Sequence, residues 1–478
     1  MKSVLVLMSL MLPWQSVWAD DTDLLAACQR YLVAGGNPDL LTRETMEVLD
    51  TPDRDPVVVN KIIDRLSRSE PVDRQAVTGV MANQSFRHPD LMDRHTGDLL
   101  HFYVPQSYKP SQPFGLVIFM HGGGGQTPPE HALHIVTHPD DDPQSIGLQP
   151  YLADRPFILA APSAPVNKNT GARWNVQGAD ESIADVIREC RFRFNIDGDR
   201  VFLGGYSMGG FGAYHLCQRL SDQLAGGFVF SGAWKTMRWQ AWTGLPLFLR
   251  HGVYDAAPAK QNETAGRPRF TDVFYARAAT QRLSELGLPH EYVEDEGNHA
   301  IRGAKVAMSR FADWIVTPRR DPFAKRVVAI SPRGWNADSD APSPHCRWIT
   351  IHKSGDGTIE FDQVQITGPR PAFGESSEDF HKQSFHLSRR AVKAGLVDAR
   401  IASDNHLVVE TQNVRRFSVW LHPAMVDFSR PVNVSVNGQQ SQHRIDCRLS
   451  TVLESYQRRK DWGLIYQAKV TLTVPSEE

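Results

Sequence analysis

The chain's 478 residues are enough for two or three domains, and 41% hydrophobic with 22% charged content is the balance of an ordinary globular protein. A formal net charge of −2, with no basic tract, argues against a nucleic-acid partner and against a charged membrane-surface binder.

In chain order, Lys2 precedes the apolar run Val4 to Leu12, and Val17-Trp18-Ala19 offers small-residue cleavage before Asp20. The run is too short to span a bilayer, so residues 1–19 are expected to be a cleaved signal peptide. The expected destination is the periplasm or the extracellular space, without stable membrane insertion. Leu25-Ala26-Ala27-Cys28 superficially resembles a lipidation box, but Asp20-Asp21-Thr22-Asp23 separates it from the apolar core. Five cysteines (Cys28, Cys190, Cys217, Cys346, Cys447) leave at least one unpaired in an oxidising compartment, with Cys346 and Cys447 open to pairing.

Residues 20–95 read as helical and polar. Asp21 to Leu32, Asp39 to Leu49 and Pro56 to Leu66 carry helical apolar spacing, broken at Gly35-Gly36-Asn37-Pro38, Thr51-Pro52 and Glu70-Pro71. A cap or interaction module is expected there.

From 96 to 320, short apolar runs alternate with helical stretches. The runs are Leu99 to Val104, Phe114 to Met120, Pro156 to Ala161, Val201 to Gly205, Gly227 to Phe230, Leu245 to Leu249 and His290 to Val293. Helical stretches include Ser182 to Phe192, Met208 to Leu220, Asp272 to Leu286 and Lys305 to Ile315. This alternation predicts an α/β domain: a mostly parallel sheet with helices on both faces. Residues 321–478 shift to β-strand runs such as Arg347 to His352, Arg416 to Leu421 and Val432 to Val436. Asn437-Gly438 marks a hairpin, and one helix is expected at Leu449 to Arg458. A separate β-rich C-terminal domain follows from that pattern.

Chemistry concentrates at Gly205-Tyr206-Ser207-Met208-Gly209, between a buried strand and a helix. A chain that reverses so sharply leaves no room for Cβ atoms at the flanking glycines and projects the serine hydroxyl from the apex. Upstream, Met120-His121-Gly122-Gly123-Gly124-Gly125 ends another strand. Bare backbone there lets the amide of Gly123 or Gly124, with that of Met208, stabilise a developing oxyanion. Asp255 follows the strand Leu245 to Leu249, and His299 lies in Glu296-Gly-Asn-His-Ala300. A histidine can take the serine's proton, and a carboxylate past a strand end can orient it. Asp295 is a rival carboxylate, set too close along the chain to His299.

These residues in this order resemble the α/β-hydrolase superfamily over roughly residues 97–318. His121-Gly-Gly-Gly-Gly and Gly204-Gly-Tyr-Ser-Met-Gly-Gly210 look like secreted carboxylesterases of the polyhydroxybutyrate-depolymerase and feruloyl-esterase type, and like prolyl-oligopeptidase-like peptidases. Arg416-Phe-Ser-Val-Trp-Leu421 with Pro431 to Gly438 looks like the β-rich tail of some bacterial phospholipase/carboxylesterase-like hydrolases. The resemblance implies an exported serine hydrolase of carboxylic esters, with Ser207 as nucleophile, His299 as base and Asp255 as its orienting carboxylate. It implies no cofactor; the substrate would be a small-molecule or polymeric ester, or a peptide. A peptidase, or a vestigial hydrolase binding through its β-rich domain, is the alternative.

Weaker patterns remain. His131, His134 and His138 with Asp140, Asp141 and Asp142 match no metal-ligand spacing and read as a polar loop. Asn195-Ile-Asp-Gly-Asp199 and Ser354-Gly-Asp-Gly-Thr358 lack the full calcium-loop pattern and read as turns. Trp174 and Trp234 are candidates either for the substrate pocket or for core packing.

Overall fold

The computed structural model describes residues 21–255, 272–331, 346–367 and 384–475. The expected signal peptide lies outside them. Three helices open the described chain: α1 (Asp21–Val33), α2 (Arg43–Asp50) and α3 (Pro56–Arg68). Asp55 caps α3 by accepting from the Val57 amide, with Pro56 at the first helical position, where its missing N–H costs nothing.

Eight strands then form one sheet: β1 (Gly79–Gln84), β2 (Leu100–Val104), β3 (Phe114–Met120), β4 (Phe157–Pro162), β5 (Ile196–Tyr206), β6 (Gly226–Phe230), β7 (Leu247–Gly252) and β8 (His290–Asp295). Their order is β1-β2-β4-β3-β5-β6-β7-β8. β2 runs antiparallel to both neighbours, and from β4 to β8 the pairing is parallel. Strand β1 corrects the expectation of an all-helical segment up to residue 95. Its half-exposed edge sequence offers only the short apolar run Val80-Met81-Ala82 to announce it. Likewise Asn195 to Asp199 is no turn but leads into and begins β5.

The connecting helices are α4 (Ala179–Arg193), α5 (Met208–Arg219), α6 (Phe274–Glu285) and α7 (Lys305–Trp314). Strand side chains alternate between the two covered faces as a period of two requires. Leu116, Ile118, Leu203, Leu247 and Leu249 pack with α4, α5 and α6 on one face. Val117, Phe119, Phe202 and Phe248 pack with Ala307, Met308 and Phe311 of α7 on the other. Sheet order, two-sided helical cover and a strand–serine–helix turn after β5 make this an α/β-hydrolase fold.

The C-terminal region is built from β9 (Arg326–Ser331), β10 (Ile349–Ser354), β11 (Ile359–Thr367), β12 (Ser384–Val392), β13 (Gly395–Ser403), β14 (His406–Gln412), β15 (Val414–Leu421), β16 (Val432–Val436) and β17 (Gln439–His443), then α8 (Leu449–Arg459) and β18 (Ala468–Thr473). Sheets β9-β13-β14-β16-β17 and β10-β15-β18 enclose a core around Trp348, Phe417, Trp420 and Tyr466. Strand β11 pairs with β12 and, across the region boundary, with Thr236–Met237 of the hydrolase unit.

The N-terminal helices find their partner 400 residues away. Leu24, Ala27, Cys28, Val59, Ile62 and Leu66 share a core with Cys447, Leu449, Val452, Leu453 and Ile465. They brace the C-terminal region. All five cysteines are buried and none is disulfide-bonded. The suggested pairing of Cys346 with Cys447 does not form, because Cys346 sits in the β-core and Cys447 in the helical one. Among the described residues, no helix is long and apolar enough to cross a membrane.

Candidate active site

Ser207 occupies the turn between β5 and α5 with φ 54° and ψ −114°, a conformation that side-chain-bearing residues rarely adopt. The glycines around it are sterically required. A Cβ on Gly205 or Gly209 would collide with the Met120 carbonyl at the end of β3, and one on Gly205 would also meet the Gly209 backbone. The clash expected between the two ends of the turn is therefore joined by one with the neighbouring strand.

The Ser207 hydroxyl lies 2.9 Å from His299 Nε2, which it can serve as donor. On the ring's other side, His299 Nδ1 is 3.0 Å from Asp255 Oδ2; Oδ1 is as near, at 2.9 Å, but poorly aligned. The His299 side chain is 36% exposed and Asp255 only 1%, so the chain of contacts runs from solvent into the protein. Two loops hold this alignment in register. Gly252 ends β7 opposite Asp295 of β8, the Val253 amide donates to Asp295 O, and the Tyr254 amide donates to Gly297 O, 2.9 Å each. A Cβ on Gly252 would strike the Gly297 and Asn298 carbonyls, so the loops pack backbone to backbone.

Asp255 has a second histidine that sequence reasoning missed. His251 Nε2 approaches Asp255 Oδ2 at 2.7 Å, both side chains being 1% exposed. Burial works against charge on Asp255, yet hydrogen bonds from His251 and His299 hold its carboxyl below the usual value. Asp295, the rival carboxylate, is taken up elsewhere: Arg250 grips it with Nε at 2.7 Å and Nη2 at 2.6 Å. Arg250 also donates to Ser231 Oγ at 2.9 Å and is itself 1% exposed.

The glycine loop after β3 faces the elbow, since a Cβ on Gly122 would lie 3.2 Å from Ser207 Cβ. Of the two candidate amides there, Gly124 donates to Thr127 Oγ1 at 2.8 Å and is spent. The Gly123 amide has no acceptor among the described residues, and Gly123 holds φ 115°, where a Cβ would run into Thr127. Met208 begins α5, so its amide is one that the helix leaves unpaired. His121 fixes the loop from below. Its Nδ1–H donates to Gly122 O at 2.7 Å and Nε2 accepts from the Ala164 amide at 3.2 Å. Burial pushes its pKa down to about 4, so the ring that makes both bonds is neutral. Trp174 is buried and donates from Nε1 to His121 O at 3.0 Å, which places it in the scaffold; Trp234 is equally buried.

In the neighbouring loop His134 Nδ1 meets Asp142 Oδ2 at 2.7 Å, and among the described residues no three His, Cys, Asp or Glu side chains converge as metal ligands would. Asp197 and Asp199 face Arg319 and Arg320.

No protein-family model matches the chain. Among curated proteins, the bifunctional acetylxylan esterase/xylanase XynS20E of Neocallimastix patriciarum is 26% identical over 189 residues, 38% of this chain and 25% of that one. The chain thus spans a quarter of that relative's length. Among solved structures, a thermostable esterase aligns with TM-score 0.39 and 19% identity over 50% of this chain and 63% of its own. A fluorophosphonate-binding serine hydrolase of Staphylococcus aureus aligns with TM-score 0.32 and 16% identity over 46% and 92% of the two chains. The corresponding values for a ferulic acid esterase are 0.35 and 14%, over 49% and 97%.

Proposed function

We propose that this α/β-hydrolase-fold protein is an exported serine hydrolase of carboxylic esters. The observation that carries the reading is the unbroken contact chain Ser207–His299–Asp255, at 2.9 and 3.0 Å, starting from a serine at φ 54°. Ser207 Oγ attacks the ester carbonyl while its proton passes to His299 Nε2. Asp255 keeps the proton of the ring on Nδ1 and stabilises the imidazolium that forms. Amides of Gly123 and Met208 receive the oxyanion, whose stabilisation by each donor is worth about 10²–10³ in rate. His299 then protonates the leaving alcohol, and water, activated by the same ring, releases the acid from Ser207. Export is supported by Lys2, the run Val4 to Leu12 and Val17-Trp18-Ala19, and by those residues alone.

Hydrolysis of para-nitrophenyl acetate tests the assignment. Ser207→Ala is expected to lower kcat by about four to six orders of magnitude. Undiminished turnover in that variant would rule out Ser207 as nucleophile. Cleavage of peptide amides at rates matching esters would move the protein to the peptidases instead.

A further inference from the structure

Beside the proposed oxyanion site stands a cation with no counter-charge among the described residues. Arg173 is half-buried, follows the small hairpin Val166–Asn167/Gly171–Ala172, and is held close against the glycine loop. The Ala172 amide donates to Gly125 O at 3.1 Å, the Arg173 amide to Pro165 O at 3.1 Å, and the next residue, Trp174, to His121 O. Its guanidinium lies over bare backbone: a Cβ on Gly124 would sit 3.4 Å from Nη1, and one on Gly125 3.6 Å from Nη2. Among the described residues its one hydrogen-bond partner is Met208 Sδ, 3.6 Å from Nη1, and no carboxylate stands within ion-pair distance. A thioether is a weak acceptor, so the planar fork keeps nearly all of its donors.

Arg250, on the opposite side of the nucleophile, shows what a scaffold arginine looks like here. It is fully buried and saturated by Asp295 and Ser231. Arg173 has the opposite character, with partly withdrawn solvent and no anion of the described residues in its place. Partial burial of an unpaired charge costs stability, and the arrangement puts that charge next to Met208, one residue from the nucleophile. A guanidinium with free parallel donors matches a carboxylate bidentately.

Resting on the reading of Ser207 as an esterase nucleophile, we infer that Arg173 is a specificity-determining residue that binds a carboxylate on the substrate, so that the preferred esters are anionic. The carboxylate can belong to the acyl half, as in a half-ester of a dicarboxylic acid, or to the alcohol half, as in an acylated hydroxy acid.

Two substrate pairs read this out in the full-length protein: para-nitrophenyl hydrogen adipate against para-nitrophenyl hexanoate, and para-acetoxybenzoate against para-acetoxybenzamide. The wild type is expected to favour the charged member of at least one pair in kcat/KM. In Arg173→Gln the charged-to-neutral ratio for that pair should fall about 10- to 100-fold, the range for a hydrogen bond to a charged group. Arg173→Lys should recover part of the ratio, since it keeps the charge and loses the fork. The pair that responds tells which half carries the acid. An equal loss on charged and neutral esters would put Arg173 on the oxyanion or the scaffold and overturn the inference. So would a ratio that Arg173→Gln does not move. In either case Ser207-dependent turnover of the neutral esters would show the esterase reading standing by itself. If no ester of either kind is turned over, that reading fails and takes this one with it.

Discussion

Where the C-terminal region meets the hydrolase sheet, the buried charges of Asp461, Arg320 and Arg347 are met by charged or carbonyl partners. Asp461 receives Arg320 Nη1 at 2.6 Å and Arg191 Nη2 at 3.0 Å, and accepts the Gly463 amide at 2.8 Å. Arg347, fully buried, is used up on the carbonyls of Asp321, Thr243 and Gly244. Past the carboxyl ends of β3, β5 and β8 the polar groups are arranged differently. Ser207 is strained and His299 is over a third exposed, and among the described residues the Gly123 amide has no acceptor and Arg173 no anion. Asp461, Arg320 and Arg347 are spent on protein partners, while the Gly123 amide and Arg173 keep donors that a ligand can use. The contrast separates scaffold from site on physical grounds, since an unmet polar group in a folded protein costs free energy that something else must offset.

The largest expected effect on the scaffold side is at Asp461. Burial opposes its charge, but Arg191 and Arg320 hold its carboxyl well below the usual range. Asp461→Asn takes the shared anion from Arg191 and from the buried Arg320, which keeps only the half-exposed Asp199, and should destabilise the fold by about 3 kcal/mol in denaturant unfolding. A loss under 1 kcal/mol would mean the cluster is not the clasp described.

On the site side, Gly123→Ala forces a side chain into φ 115° and against Thr127. Ester turnover should drop about 10²–10³-fold with a much smaller change in unfolding midpoint. Comparable losses of stability and turnover would erase the distinction drawn between the two regions.

His251→Leu sharpens it through pH. The Asp255 carboxyl sits below its unfolded value, so its ionisation contributes stability fully above about pH 4 and loses it as pH falls through the folded value. Removing one of its two donors should cost about 1–3 kcal/mol at neutral pH. That deficit should shrink in acid, once Asp255 is protonated with or without His251. A deficit independent of pH would assign His251 to packing alone. At the small end, Arg43 and Glu47 form a surface pair whose side chains are 92% and 63% exposed. Arg43→Ala should shift stability by no more than about 0.5 kcal/mol.

Much of this organisation is legible in the chain itself. Apolar runs of strand length alternating with helices announce the sheet, and the Gly-x-Ser-x-Gly turn, the glycine loop, Asp255 and His299 stand in an order that invites their meeting. What stays hidden depends on contacts distant in sequence. Helices α1 and α3 look like a free module until Leu449, Val452 and Leu453 cover their apolar faces. Strands β1, with three apolar residues in six, and β17, with none, do not stand out, because both lie at sheet edges. Choosing Gly123 over Gly124 needs the Thr127 hydroxyl in place. His251 precedes Asp255 by four residues, yet their contact depends on how the chain turns after β7. Arg173 belongs to no local pattern; what marks it is that no carboxylate of the described residues faces it.

The central claim is that His299 activates Ser207. Its most direct test is labelling of the full-length protein with a fluorophosphonate probe, followed by peptide mapping. Activation of Ser207 by His299 requires label on Ser207 in the wild type and its loss in folded His299→Ala. Folded wild-type protein that stays unlabelled, or label that persists without His299, would contradict it.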